Sequence, residues 1–340
     1  MPHAGNRGPA DARFTPMEQV DGFHVVERTY CSDPAKLSVG LANISAVVPD
    51  VEANKDKILR AASIFKERGV NLAIFPELCL SGYFWEDEEA CRRYMDTAVT
   101  ERQVDWIDGS LRPLLDDEFM GIILNNLSEG SDGKYLNATF PVARGYDYLA
   151  PEHAYNKTFL PGLEKTYTAT GLDDRLVLES ERGNGRFGFT TCYDYLFNDL
   201  LREYTLGDEV DAIIEVASWR AASSRDYPGM NIRTDAYYGA LWDSVMPAGS
   251  ATNQVWTIAC NAVGRHGVTG AAFWGGSGVW APSGIKLVQA SNVNEELLIV
   301  HNLDIEGARE SEKDEFDYAI DFHEIYRPLE NSRGFVRKLG

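Results

Sequence analysis

Apolar residues along this chain come in short runs, most of which end abruptly at a polar residue and a turn. "KLSVGLANIS" alternates apolar and polar positions and predicts a strand over residues 36–45. "VEANKDKILRAASIFKERG" follows with helical spacing: Val51, Ile58, Leu59, Ala62 and Ile64 share one face, and Gly69 supplies a stop. "VNLAIFPE" is nearly all apolar, as in a strand covered on both faces. The same rhythm then recurs. "VDWIDGSLRPLLDD" predicts a helix interrupted near Pro113, and "MGIILNNL" a strand. "LNATFPVAR" and "YDYLAPEHAYNK" predict adjacent strands joined by a glycine-containing turn. "GRFGFTTC", "VDAIIEVAS", "QVWTIACN" and "ELLIVHNLD" predict strands, "NDLLREYTLGD" a helix, and residues 235–250 a helix broken near Pro247. "GSGVWAPSGIKLVQA" reads as a hairpin turning at Pro282-Ser283-Gly284.

Strand and helix alternate early and strand-rich segments follow, so the pattern predicts one α/β layered domain with a mixed sheet over residues 36–305. Residues 1–35 show no sustained periodicity and read as an N-terminal extension, part of it mobile. Residues 306–340 form an acidic tail that carries Phe316, Tyr318, Phe322, Tyr326 and Phe335, more aromatics than a free acidic tail holds. Two placements fit it: against a neighbouring subunit, or along its own domain.

Composition narrows the function. With 340 residues, 44% hydrophobic and 25% charged, the chain has ample material for a large core. Its 32 basic and 52 acidic residues leave a net charge of −20, which opposes binding to nucleic acid or to anionic membrane surfaces. "MPHAGNRGPADARF" has no apolar signal core, and no apolar run approaches the roughly 18 residues of a membrane span. The five cysteines are scattered, with no CxxC, so neither a disulfide framework nor a metal cluster is expected, and a cytoplasmic location is the simplest.

Three segments deliver a reactive side chain where a strand gives way to a turn: "LAIFPELCLSGY" presents Glu77, "HAYNKTFLPG" presents Lys157 and "FGFTTCYD" presents Cys192. In α/β proteins, strand ends that open onto loops are where sites are built. A carboxylate can take the proton of a thiol, and an ammonium can hold a developing oxyanion. The helix expected after Cys192 adds a positive dipole and backbone N–H donors. Singly, each residue also fits a structural role: a buried small apolar Cys192, a capping Glu77, a solvated Lys157. Chain order alone does not bring the three together.

The blocks "FPELCLSGY", "NKTFLPG…EKTYTATG" and "TCYDYLFND" resemble, in order and in spacing, the three motif blocks of the nitrilase superfamily, the carbon–nitrogen hydrolases. "ATNQVWTIACNAVG" and "GGSGVWAPSG" resemble two later segments of the family, so the likeness spans about residues 36–305. It implies a four-layer αββα sandwich and a Glu-Lys-Cys triad in which Glu77 is the general base, Lys157 the oxyanion stabiliser and Cys192 the nucleophile. It implies further that Glu164, in "EKTYTATG", is the second glutamate that helps position substrate. The residues depart from the family pattern at Gly249 and Ala262, where arginines are common, and at Asp199, where Glu is common.

The resemblance implies a thiol amidohydrolase that passes through a thioester, with the Tyr193 amide as a second oxyanion donor and no metal or organic cofactor. It implies a homo-oligomer built on dimers. "CYD" in place of "CWE" sets the chain nearer the amidase and carbamoylase branches than the nitrilases. No arginine occurs between Cys192 and Arg202, which favours a small neutral amide or carbamoyl-amine as substrate. Tyr83, Trp85, Tyr193, Tyr195 and Phe197 suggest an aromatic pocket rim, although such residues also build cores and subunit contacts. Trp219 fits both a pocket wall and the core. The alternatives are nitrile hydrolysis, a catalytically silent interaction protein, and a glutaminase component of a complex.

Overall fold

A computed structural model describes residues 13–14, 17–83, 88–171, 175–180, 185–230 and 232–326. Trp85 and Phe335 lie outside the described residues. Two sheets dominate. The first runs in the order Arg13–Phe14, Phe23–Thr29, Glu296–Leu303, Leu37–Asn43, Leu72–Ile74, Gly121–Glu129, Tyr135–Ala143, Tyr155–Asn156, with Glu18–Val20 also on Phe23–Thr29. The second runs Lys286–Gln289, Gly278–Trp280, Trp256–Asn261, Ala212–Ala217, Gly185–Thr191, Val177–Ser180. Each has three adjacent parallel strands at its centre. Glu77 follows one of those strands in the first sheet, while Cys192 and Ser218 follow two in the second.

Alternate residues of each strand enter different layers, as the pleat requires. In the first sheet Ile123 faces the second sheet, with Val39, Leu41 and Ile74. Its neighbours Ile122 and Leu124 pack outward with Ile58, Phe65 and Leu111. In the second sheet Ile214 and Val216 face inward, while Ile213 and Ala217 pack outward with Leu201, Trp242 and Met246. Four layers result, helix–sheet–sheet–helix, and the central parallel strands of both sheets are buried on both faces. The helix Val51–Glu67 begins at Asp50, whose side chain accepts from Ala53 N at 3.0 Å, and is followed by Gly69 at φ +72°. Its buried Asn54 donates to Leu80 O at 2.7 Å, tying the helix to the loop that carries Glu77.

The structure revises several expectations. The two sheets agree with the four-layer αββα sandwich that the resemblance implies, where the apolar pattern alone pointed only to a mixed sheet. Phe23–Thr29, expected within an extension, is a strand of the first sheet that pairs in parallel with Glu296–Leu303. Ile305–Lys313, expected within the tail, is a helix with Ile305 and Arg309 buried, and Arg309 pairs with Asp211 at 2.5 Å. "YDYLAPEHAYNK" forms a 3-10 turn at Pro151–His153 and only a two-residue strand, because Pro151 has no N–H to give a ladder. The helix Tyr237–Asn253 continues through Pro247, since Trp242, Met246 and Ser250 are buried against the second sheet on either side of it. Beyond it, residues 316–322 lie on their own domain, with Tyr318 N donating to Gln254 Oε1 at 3.0 Å and Arg202 over the Phe322 ring. Phe316 and Ile320 remain more than half exposed. No helix among the described residues is long and apolar enough to cross a membrane.

Gly249 also has a physical explanation. A Cβ there would lie 2.5 Å from the hydroxyl of Tyr195, whose ring fills the space over that turn of helix. Tyr195 sits three residues after Cys192 and bonds to Thr257 Oγ1 at 2.6 Å. Gly249→Ala is therefore expected to destabilise the fold by about 1–3 kcal/mol through overpacking. Chemical denaturation of the two proteins measures this.

Candidate active site

The strand Leu72–Ile74 ends in "FPEL", and Leu78 turns the chain with φ +49°, a left-handed conformation rare for a branched side chain. The turn is held by its surroundings: Leu78 N donates to Asn125 Oδ1 at 2.8 Å, and Ser218 Oγ donates to Glu77 O at 2.8 Å. The Glu77 carboxylate points into the protein. Its Oε2 accepts from Ser218 N at 2.8 Å, and its Oε1 from Lys157 Nζ at 2.7 Å and Asn137 Nδ2 at 2.9 Å.

Lys157 follows the strand Tyr155–Asn156, and its N–H bonds to Asn137 O at 2.9 Å. Its side chain is fully buried. Burying an ammonium costs several kcal/mol unless it is paired and hydrogen-bonded. Here it lies between two carboxylates, donating also to Glu164 Oε2 at 2.8 Å, with its nitrogen 5.3 Å from the centre of the Tyr83 ring. Burial alone would lower the Lys157 pKa, but Glu164 and Glu77 outweigh it and hold it well above the ordinary value. The group is a fixed cation. Glu164 in turn accepts from Asn137 Nδ2 at 2.8 Å and from the Tyr83 hydroxyl at 2.8 Å. Burial raises its pKa, against the lowering effect of Lys157.

Cys192 begins the 3-10 turn Cys192–Leu196 directly after the strand Gly185–Thr191, with φ +55°. A capping box between Thr191 and Asp194 fixes the turn. The Asp194 carboxylate reaches further: it accepts from the Tyr155 hydroxyl at 2.7 Å and from Phe159 N at 2.7 Å, so one side chain clamps the turn of Cys192 to the loop of Lys157. The Thr139 and Thr191 hydroxyls, 3.2 Å apart, join the two sheets at the same level. Burial, and next the charge of Glu77, push the Cys192 thiol well above its usual pKa, so it rests as the neutral thiol.

Cys192 lines a cavity of about 220 Å³ together with Glu164, Tyr193, Trp219, Arg220 and Tyr238. Trp219 serves both of its anticipated roles: it lines the cavity and packs edge-on against buried Trp242, with its indole N–H bonded to Tyr238 O at 2.8 Å. Of the expected aromatic rim, Tyr83 and Tyr193 line the cavity. Tyr195 turns into the core toward Thr257, and Phe197 stacks on Phe159 with ring centres 3.6 Å apart. The absence of arginine between Cys192 and Arg202 does not extend to the cavity lining, which includes Arg220 from the loop after the strand Ala212–Ala217. Among the described residues, no cluster of His, Cys, Asp and Glu has a metal-binding arrangement.

Sequence reasoning passed over Asn137, Ser218, Arg220, the clamp made by Asp194, and Glu215. A polar residue inside an apolar strand run is the signal that marks Asn137 and Glu215. Glu215 is wholly buried one strand away from Cys192, where Thr190 Oγ1 donates to its Oε2 at 2.6 Å. Burial raises its pKa well above the ordinary 4.5. In the native protein it therefore keeps its proton at pH values where the unfolded chain has lost it. Its contribution to stability is full below about 4.5 and declines as pH rises. Glu215→Gln is expected to remove that decline, so the melting temperature of the variant relative to the parent rises from pH 5 to pH 8. A constant difference across that range contradicts the assignment.

The fold is similar to that of several solved proteins. An amidase from Nesterenkonia sp. shares 21% identity, with 87% of this chain and 97% of that chain covered and a TM-score of 0.65. XC1258 from Xanthomonas campestris, a CN-hydrolase superfamily protein with an arsenic adduct in its active site, shares 20% identity over 89% of this chain and 99% of that one, with a TM-score of 0.64. Glutamine-dependent NAD+ synthetase from Acinetobacter baumannii shares 22% identity over 78% of this chain, with a TM-score of 0.61; this chain spans 45% of its length. No curated protein sequence matches the chain. The family model for carbon–nitrogen hydrolase matches residues 38–313, a span that includes Glu77, Lys157, Glu164 and Cys192, and the chain belongs to that family.

Proposed function

We propose that this protein is a thiol amidohydrolase that cleaves the non-peptide C–N bond of a small amide or N-carbamoyl compound. The observation that carries the reading is the buried Glu77–Lys157–Glu164 cluster beside a cavity-lining cysteine held at the end of its strand. A neutral thiol needs a base to become a nucleophile. Lys157, a fixed cation, cannot accept a proton, so a carboxylate takes that role. Of the two, Glu77 exerts the stronger charge effect on the Cys192 thiol.

The steps follow from this assignment. Glu77 takes the Cys192 proton as Sγ attacks the amide carbonyl. The oxyanion is held by the Lys157 ammonium and the Tyr193 backbone N–H. Protonated Glu77 then gives its proton to the leaving nitrogen, and ammonia or an amine departs with cleavage of the C–N bond. Water attacks the thioester left on Cys192, Glu77 takes the water proton and returns it to Sγ, and the acid leaves. Glu164 keeps Lys157 ionised and oriented, while Tyr193 and Trp219 shape the walls around the acyl group. The chemistry balances with water as the sole co-reactant.

Ammonia release measured across small amides, carbamoyl-amines and nitriles tests the reading. Amide or carbamoyl turnover is expected, and Cys192→Ala should lower it by at least ~10³-fold. Nitrile turnover without amide turnover overturns the choice of bond, and ammonia release that survives in Cys192→Ala overturns the mechanism.

A further inference from the structure

Beside the cavity stands an element that the bond-breaking chemistry does not use. Between Trp219 and Tyr238, both of which line the cavity, the chain makes a hairpin. Arg225–Tyr227 pairs in antiparallel register with Ile232–Thr234 as a two-stranded sheet of its own, with a 3-10 turn at Pro228–Met230. Its stem is tied across: Ser223 N donates to Asp235 O at 3.2 Å, Tyr237 N to Ser223 O at 3.3 Å and Ser224 Oγ to Asp235 Oδ1 at 2.6 Å. Ahead of the stem, Ala221 N donates to Ala272 O at 2.8 Å, which fixes where the hairpin is rooted. The lead-in, Ala221-Ala222-Ser223-Ser224, consists of four small residues that leave the backbone room to turn.

The register sorts the hairpin's side chains by face. Arg225, Tyr227, Ile232 and Thr234 share one face, because residues two apart and residues directly opposite point the same way. Asp226 and Arg233 take the other. Arg225 shows where the first face looks: its guanidinium lies 4.0 Å from the centre of the Tyr237 ring and 5.7 Å from that of Tyr238. Tyr227 and Ile232 therefore stand on the side of the hairpin turned toward a wall of the cavity. Both are at least half exposed, as is Met230 in the turn. A two-stranded hairpin is marginal in water unless one face is packed, and this one is exposed along both strands beyond Arg225. The cavity offers the matching surface. Leu163 and Leu196 line it and are themselves exposed, so they form an apolar rim. From Arg225 to Tyr227 a strand advances about 7 Å, comparable with the width of a cavity of about 220 Å³.

We infer that this hairpin is a lid. It swings about the small residues of its stem and lays Tyr227 and Ile232 on Leu163 and Leu196, closing the cavity over Cys192 and whatever occupies it. Closure buries apolar surface on both sides and shuts bulk water out of the site. An occupant adds surface to that contact and so shifts the hairpin toward the closed form. The charged face, Asp226 and Arg233, is left to solvent. The inference rests on the hairpin and the rim alone and does not depend on which bond is cut.

Paired cysteines test this. Tyr227→Cys and Ile232→Cys are each combined with Leu163→Cys and with Leu196→Cys. Asp226→Cys and Arg233→Cys, combined with the same rim positions, are the controls for the other face. The proteins are oxidised at low concentration, and peptide mass spectrometry under non-reducing conditions identifies the bridge. At least one pair from the apolar face should close within a chain about tenfold faster than its control, because a disulfide needs Cβ atoms about 4 Å apart. In that oxidised protein, alkylation of Cys192 by iodoacetamide should be at least about tenfold slower than after reduction with dithiothreitol, since the mouth is shut. Four outcomes overturn the inference: equal bridging from both faces, no bridge within a chain from any pair, bridges that join two chains and so make a second copy the cover, or alkylation of Cys192 at the same rate before and after reduction. Every substituted position is exposed, and the four apolar-face pairs are independent, so one that does not fold leaves the decision to the others. Ammonia release plays no part in the readout, so failure here leaves the amidohydrolase reading standing, and failure of that reading leaves the lid.

Discussion

A single ammonium buried between two carboxylates is the constraint that organises this molecule. Lys157 is fully enclosed, and so is Glu77. Leaving either without its partner would strand a charge in a low-dielectric interior, at a cost of about 3–5 kcal/mol. The surrounding polar groups are arranged to prevent that. Asn137 donates to both carboxylates, Asn125 orients Asn137 at 2.9 Å, and Ser218 supplies a backbone N–H from the opposite sheet. The two sheets meet over this network as well as over their apolar faces. The cluster that would do the chemistry is thus also a fastening between the layers, which makes its geometry hard to relax.

The placement of Cys192 depends on the same fastening through strain. Leu78 and Cys192 both adopt left-handed backbone angles at strand ends, and such residues persist only where neighbours over-determine them. Around Leu78 the restraint comes from Asn125 and Ser218; around Cys192 it comes from Asp194, which grips its own turn and the loop of Lys157 together. Asp194, in the position that suggested a substrate branch, acts in the structure as a strut. A thiol set in this way feels the charges of Glu77 and Lys157 from a fixed position, the condition under which preorganised electrostatics lower a barrier.

Much of this was legible in the chain. Glu77, Lys157 and Cys192 each stand where a strand gives way to a turn, and a reactive side chain in that position is visible to inspection. The hairpin at Pro282-Ser283-Gly284 was equally plain, with Gly284 at φ +80°. What stayed hidden is non-local or belongs to the backbone. Ser218 acts through its N–H, which no side-chain pattern reveals. Arg220 faces the cavity because its chain is pinned to Ala272–Trp274, a strand distant in sequence. Phe23–Thr29 joins the sheet because Glu296–Leu303 offers it an edge, and a short strand whose partner lies at the far end of the chain resembles an extension until the two are seen together.

The account turns on whether the acyl group passes through Cys192. Acid-quenched reactions at saturating substrate, analysed by peptide mass spectrometry, measure this most directly. The account predicts that the peptide containing Cys192 gains the mass of the substrate less ammonia or amine, in an adduct that hydroxylamine removes. Turnover with that peptide unmodified, or with an adduct that retains the leaving nitrogen, would contradict it.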